Sequence, residues 1–124
     1  MDENFKKRME DNGADVNTTV KRFMGKEELY MRFILKFQDD KNLQILQDNL
    51  AKKEYEEVFN NAHSIKGVSS NLGLNPIWEA AAAICDLLRG KQPEEVDTQK
   101  LHDMVKELEE VYQRIQGIIA EYAV

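Results

Sequence analysis

Residues 54–73 have the sequence EYEEVFNNAHSIKGVSSNLG, and their pattern is the main basis for predicting the fold of this chain. The stretch holds no proline, and its apolar and small residues recur every three or four positions, which is the period of an α-helix. The residues that share one face are Val58, Ala62, Ile65, Ser69 and Leu72. Gly73 follows at the position where helices commonly end with a left-handed residue. We therefore predict one helix over residues 54–72 with a single face directed into a core.

The helical period continues upstream of this segment. Apolar residues from Leu29 to Leu50 predict one long or bent helix over residues 26–52, with a kink or short break at Asp39-Asp40. A shorter helix is predicted over residues 15–23, between the turn signals at Gly13 and Gly25. Residues 1–12 are charged and sparsely apolar, so we expect an N-terminal extension there, either a loosely attached helix or a frayed tail.

Two more helices are predicted downstream. Asn75-Pro76 predicts a helix start with Asn75 as the cap, and that helix runs to about Arg89. Asp97 is the predicted cap of a final helix that ends near Tyr122. No segment alternates with the period of two that strands require. The predicted fold is all-α, an antiparallel four-helix bundle with one or two additional short N-terminal helices, and its domain covers residues 13–124.

Composition bounds the class of protein. With 124 residues, 42% of them hydrophobic and 32% charged, the chain predicts one soluble globular domain. No apolar run approaches the roughly 20 residues that span a membrane, and the N-terminus does not resemble a secretory signal. The single cysteine, Cys85, fits a reducing cytoplasm, which is the localisation we expect. A net charge of −6 and the lack of a basic cluster argue against nucleic-acid binding.

The chemistry-bearing part of the chain surrounds His63. On a helical wheel His63 lies away from the apolar face, with Lys66, Gly67 and Ser70 beside it on the outer surface. A neutral imidazole is a competent nucleophile near pH 7, and the Lys66 ammonium can neutralise an added phosphate. Glycine costs a helix interior about 1 kcal/mol, so Gly67 indicates that access matters there. Phe59, one turn before His63, adds an apolar rim for docking.

Taken singly, each residue has an ordinary alternative. A surface histidine is usually a solvated polar residue, and Lys66 alone is an ordinary solvated lysine. Gly67 would equally permit the close packing of a neighbouring helix. The combination is what points to function.

The segment Ala62-His63-Ser64-Ile65-Lys66-Gly67, followed by Leu72-Gly73, resembles the signature of histidine-containing phosphotransfer domains, A-H-x-[IL]-K-G with a later L-G. The resemblance extends from about residue 15 to residue 119. It implies a phosphorelay intermediate in two-component signalling, in which His63 accepts the phosphoryl group on Nε2. It further implies that Lys66 balances the phosphoryl charge and that Gly67 leaves room for the partner. The expected docking surface comprises Phe59, Ser64, Gly67 and Ser70.

The resemblance also implies the partners, which are receiver domains of response regulators, a sensor histidine kinase, or both. The Mg²⁺ of such exchanges belongs to the receiver, so no cofactor or metal is expected in this chain. The sequence holds no glycine-rich nucleotide loop, and we expect neither kinase nor other enzymatic activity. A free-standing, monomeric module is the expected form.

One position departs from the family pattern. Many members carry Glu or Gln on the next helix to fix the imidazole, and alignment from Gly73 places Cys85 there, with Asp86 beside it. Cysteine is a poor hydrogen-bond acceptor, so Cys85 favours a rival function, a helical adaptor that binds receivers without phosphotransfer. Arg89 is a weaker candidate for phosphate contact, because a cation near a helix C-terminus is favourable in itself.

Trp78, Cys85 and His102 have ordinary structural explanations. Trp78 and Cys85 are seven positions apart on one helix, which indicates core packing. His102 is predicted to be a surface residue, and no spacing of histidine and cysteine suggests a metal site.

A second rival function, a phosphatase acting on a receiver's aspartyl-phosphate, ranks last.

Overall fold

The computed structural model describes residues 1–123, and residue 124, the last of the predicted domain, lies outside them. The described chain contains seven α-helices, two short 3-10 turns and no strand, which confirms the predicted all-α helical bundle. The 3-10 turns are Phe37–Asp39 and Pro93–Glu95. The α-helices are α1 (Glu3–Asp11), α2 (Val16–Arg22), α3 (Glu27–Lys36), α4 (Asn42–Ala51), α5 (Tyr55–Leu72), α6 (Asn75–Leu88) and α7 (Thr98–Ala123).

The helices α4 to α7 form the bundle. Helix α5 packs against α4 and α6, and α7 packs against α6 and α4. Short connections between consecutive helices make such neighbours antiparallel. The face of α5 predicted from the sequence is the one that is buried, comprising Val58, Ala62, Ile65, Ser69 and Leu72. Its opposite face is left exposed to solvent, and that face holds His63.

The chain breaks into α3 and α4 next to Asp39-Asp40, where a kink or short break was predicted, so the prediction of one long or bent helix over residues 26–52 is wrong. Asp40 adopts an extended conformation after the 3-10 turn. Its carboxylate accepts hydrogen bonds from the backbone N–H of Asn42, at 3.0 Å, and from the Asn42 side-chain amide, at 3.1 Å. The Tyr112 hydroxyl of α7 donates to the same carboxylate. These hydrogen bonds hold Asp40 next to the start of α4, at the point where the sequence predicted a kink or short break.

The N-terminal residues are not loosely attached, which corrects a second expectation. They form α1, whose Asp2 side chain accepts the backbone N–H groups of Asn4 and Phe5, both at 2.9 Å. Phe5 and Met9 are buried in the same core as the bundle helices, where α1 contacts α7. Two apolar residues one turn apart give α1 enough of a hydrophobic face to dock. The predicted domain boundary near residue 12 stays a prediction.

At the junction of α5 and α6, the prediction for Gly73 is confirmed and the prediction for Asn75 is wrong. Gly73 ends α5 with a φ of +69°, the predicted left-handed conformation. Asn75 is not the cap of α6, however, because the buried Leu74 takes that position and its carbonyl accepts the N–H of Ile77 at 3.1 Å. The connection is that tight because the N–H of Leu74 still bonds to the Ser69 carbonyl of α5, at 2.9 Å.

The last helix begins as predicted. The Asp97 side chain accepts the N–H of Lys100 at 3.1 Å, and α7 then runs for 26 residues. Within residues 1–123, none of the helices combines the length and the apolar character that crossing a membrane requires.

Candidate functional site

His63 lies on the outer face of α5, between the buried residues Ala62 and Ile65. Those two neighbours fix the rotation of the helix, because turning α5 enough to bury His63 would expose both of them. The exposure of His63 predicted from the helical pattern is therefore confirmed. Within residues 1–123, no side chain is hydrogen-bonded to its imidazole, so both ring nitrogens are open to solvent or to a partner.

An aromatic ring lies beside the imidazole. The centroid of the Phe59 ring is 6.4 Å from that of His63, and the two rings are within 14° of parallel. Phe59 is half-buried and packs against the core, so it is itself held in place. Because the rings are one turn apart on α5, Phe59 restricts how the imidazole can tilt without using either ring nitrogen.

The remaining predicted residues of the docking surface follow His63 along α5. Ser64, Gly67 and Ser70 are exposed, and Lys66 is half-buried. The Ser64 hydroxyl donates to the Asn60 carbonyl at 3.2 Å, within the helix. The helix thus brings the predicted site residues of α5 together on one surface, while their functional roles stay predictions.

Gly67 leaves an open space next to His63. A Cβ atom built on Gly67 meets no atom of a described residue within 4 Å outside its own helix. The alternative that Gly67 permits close packing of a neighbouring helix is therefore wrong. Among the described residues, no close approach of another helix offsets the conformational cost of this mid-helix glycine.

Two cations from α5 and α6 border the same surface, each lying over an aromatic ring. The Lys66 ammonium is 5.5 Å from the centroid of the Trp78 ring. The Arg89 guanidinium is 5.9 Å from the centroid of the Phe59 ring and forms an ion pair of 2.8 Å with Asp86. Lys66, which forms no ion pair within residues 1–123, is therefore the cation of this surface whose charge is available to an anionic group.

Cys85 and Asp86 differ in what they can offer the imidazole. Cys85 is fully buried, and burial raises the pKa of its thiol, although the charges of Lys66 and Arg89 partly oppose that shift. A neutral, buried thiol is a weak hydrogen-bond partner. Asp86 is exposed and engaged by Arg89, so the carboxylate points along the surface of α6. Neither residue holds the His63 ring in this structure.

Trp78 is the residue that the sequence interpretation misjudged. Its side chain is 40% exposed, whereas Cys85 on the same helix is 0% exposed, so core packing explains only the cysteine. The helical period alone gave no sign of the contact with Lys66, because that contact depends on how α5 and α6 are aligned.

Other parts of the molecule add little chemistry. His102 is exposed on α7, as predicted. Within residues 1–123, no group of three or more His, Cys, Asp or Glu side chains is placed to hold a metal ion. A cleft of about 570 Å³ borders the site at the end of the bundle, and its walls include Phe59, Arg89 and the basic residues Lys53 and Lys91.

Comparison with known proteins identifies the family. No curated protein and no solved structure gives a significant match to the chain. The family model of the Hpt domain matches residues 32–117, which is more than half of the chain and includes the whole of α4, α5 and α6. The match places His63, Lys66 and Gly67 inside the domain, and on this evidence the chain belongs to the Hpt domain family.

Proposed function

We propose that this protein is a phosphorelay intermediate, which accepts a phosphoryl group on His63 and exchanges it with the aspartate of receiver domains. Hpt domains are phosphotransfer modules of two-component signalling, and that general role applies to the chain. The observation that carries the specific proposal is the exposed His63 beside the open space over Gly67, with the Lys66 cation one turn away.

The proposed reaction is a direct displacement at phosphorus. The lone pair of His63 Nε2 attacks the phosphorus of the receiver's aspartyl-phosphate, so that an N–P bond forms as the P–O bond breaks. The leaving group is the aspartate carboxylate, and transfer in the other direction reverses these steps. Such transfers depend on in-line positioning and on charge stabilisation.

Each neighbour of His63 has a proposed part in this reaction. The phosphoryl group brings about two negative charges, and in this proposal the Lys66 ammonium balances part of them. The open surface over Gly67 lets the receiver's active site approach the ring. Phe59, stacked on the imidazole, limits its orientation in place of the Glu or Gln of other family members. In this proposal the divalent metal is held by the receiver, and the chain acts without a kinase domain of its own.

The test is transfer of radiolabelled phosphate from a panel of phosphorylated receivers. We expect an acid-labile label on the wild-type protein and none on His63→Gln. The matched control is His102→Gln, because His102 is the other exposed histidine of the chain and lies on α7. Label that persists on His63→Gln would show that another residue is the acceptor.

A second candidate is a helical adaptor that binds receivers without accepting phosphate. It is favoured by Cys85, which is buried and leaves the imidazole without a hydrogen-bonding partner on α6. The same experiment separates the two, because an adaptor binds receivers equally well with and without His63 and never carries label. In that case Cys85→Glu becomes the variant to examine for restored transfer. Net phosphate release from the receiver without label on this chain would instead indicate a phosphatase.

A further inference from the structure

Trp78 is the only tryptophan of the chain, and its side chain is 40% exposed near the start of α6. Single exposed hydrophobic residues are common on protein surfaces, so the question for Trp78 is which partner its indole contacts. The packing of the α6 face does not supply one, because that face is completed by Ile77, Ala81 and Ile84, which are fully buried.

The partner lies on the neighbouring helix. The Lys66 ammonium of α5 lies over the indole, 5.5 Å from the ring centroid, which is within the range of a cation–π interaction. Indole is the most favourable aromatic partner for such a cation. Lys66 is also the cation closest to His63 along α5, one turn away. The indole therefore contacts the one side chain that the proposed function uses to balance the phosphoryl charge.

Lys66 differs from the other cation at the site in what holds it. Arg89 lies over Phe59 but is also tied to Asp86 by an ion pair of 2.8 Å. For Lys66, no carboxylate of residues 1–123 lies within ion-pair distance. The indole is a weaker partner than a carboxylate, so it restrains the ammonium without neutralising it.

We propose that Trp78 is a positioning residue that holds the Lys66 ammonium in the unphosphorylated protein and releases it to the phosphoryl group when His63 is phosphorylated. The proposal rests on the proposed function, since it assigns a resting position to the lysine of that site. A charge-assisted hydrogen bond to a phosphoryl oxygen is stronger than an exposed cation–π contact. The four-carbon stem of lysine allows the movement without a change in α5.

The first experiment needs no phosphate. Because Trp78 is the sole indole, tryptophan fluorescence reports on it alone. An ammonium group over the ring perturbs that emission, so we expect Lys66→Met to change its intensity and wavelength. Lys106→Met is the control, because Lys106 is an exposed lysine of α7, and it should leave the emission unchanged. In an NMR spectrum the ε-methylene protons of Lys66 should be shifted upfield by the ring, and Trp78→Leu should abolish that shift.

The second experiment phosphorylates His63 with phosphoramidate, a chemical donor that loses ammonia as the N–P bond to the imidazole forms. We expect the emission of the wild type to move toward that of Lys66→Met and the upfield shift of the Lys66 protons to be lost. Neither change should occur in His63→Gln, and phosphorylated Lys66→Met should show no further change in emission.

Two results would overturn the proposal. One is an emission and a Lys66 proton shift that stay constant in His102→Gln while the mass of that variant, in which His63 is the sole histidine, increases by one phosphoryl group. The other is an unphosphorylated protein in which Lys66→Met does not alter the emission and the ε-methylene protons show no upfield shift. Failure of every receiver to label His63 would count against the proposed function instead, because the chemical donor requires no partner.

Discussion

Gly67 is a mid-helix glycine, and a Cβ atom built on it meets no other helix or loop of residues 1–123 within 4 Å. Alanine is favoured over glycine in a helix interior by about 1 kcal/mol, so Gly67→Ala should raise the free energy of unfolding by about that amount. The added methyl group would stand beside His63 on the surface that a receiver approaches. Since small misplacements of reacting groups are costly, we expect phosphotransfer to slow by roughly tenfold or more. Urea denaturation and a transfer time course measure the two effects.

Gly117→Ala is the matched control for Gly67→Ala. Gly117 is an exposed glycine within α7, and a Cβ atom built there also meets no other helix or loop of the described chain within 4 Å. We expect a similar gain in stability with no loss of transfer. If both variants transfer phosphate at the wild-type rate, the open space over Gly67 has no role in docking.

The sequence predicted the exposure of single residues well where the helical period determines it. His63 is exposed and Ala62 and Ile65 are buried because all three positions follow from the rotation of one helix. Trp78 and Cys85 show the limit of that reasoning, since both lie on one side of α6 yet differ from 40% to 0% exposed. The difference depends on which neighbouring side chain covers each residue, and a helical wheel of α6 contains no information about Lys66.

Between helices, the Asp40 carboxylate connects the start of α4 to α7. Its carboxylate accepts two hydrogen bonds from Asn42 at the start of α4 and a third from the Tyr112 hydroxyl of α7. Asp40→Ala removes the hydrogen bonds to Asn42 at the start of α4, worth about 1 kcal/mol, and leaves a buried hydroxyl without its partner, which costs about 1–3 kcal/mol more. We therefore expect a loss of about 2–4 kcal/mol in the free energy of unfolding, measured by urea denaturation.

Asp39→Ala is the control for that loss, because Asp39 is the exposed neighbour in the same turn. It should change the free energy of unfolding by less than about 0.5 kcal/mol, as surface substitutions usually do. Equal stability of the two variants would mean that the break between α3 and α4 does not depend on the Asp40 carboxylate.

Helix ends were predictable where the signal is local. Gly73 and Asp97 mark the end of α5 and the start of α7 through their own backbone or side chain. The break before α4 was not resolved from the sequence, because the apolar stripe resumes in phase after it. The Tyr112 hydroxyl that donates to Asp40 comes from 72 positions further along the chain, so the local pattern contains no sign of that contact.

At the scale of the whole molecule, the core is larger than the part matched to the Hpt family. The match begins at residue 32, within α3, yet Phe5, Met9 and Val16 of α1 and α2 are buried in the same cluster as the bundle helices. The N–H of Asp15 also bonds to the Gly73 carbonyl at 2.8 Å, which joins the start of α2 to the end of α5. The charged composition of residues 1–12 concealed this, because two apolar residues suffice to dock a helix of nine residues.

Two buried tyrosines make the free energy of unfolding depend on pH in the alkaline range. Tyr30 and Tyr112 are 0% and 1% exposed, and burial raises the pKa of both phenols above the ordinary value near 10. For Tyr112 the adjacent Asp40 carboxylate raises it further. A raised pKa in the folded state means that the stabilisation is complete below pH 10 and decreases as the pH rises above it.

Each buried tyrosine should therefore lower the free energy of unfolding by about 1.4 kcal/mol per pH unit above pH 10. Tyr30→Phe isolates one of these contributions, since the Tyr30 hydroxyl has no hydrogen-bond partner among residues 1–123 and its removal breaks no hydrogen bond there. At pH 7 we expect this variant to be as stable as the wild type or more so, because an unpaired buried hydroxyl is costly. Between pH 10 and 11.5 its stability should fall less steeply, as urea denaturation at successive pH values would show. Parallel pH dependences of the two proteins would mean that Tyr30 ionises as readily in the folded state as in the unfolded chain.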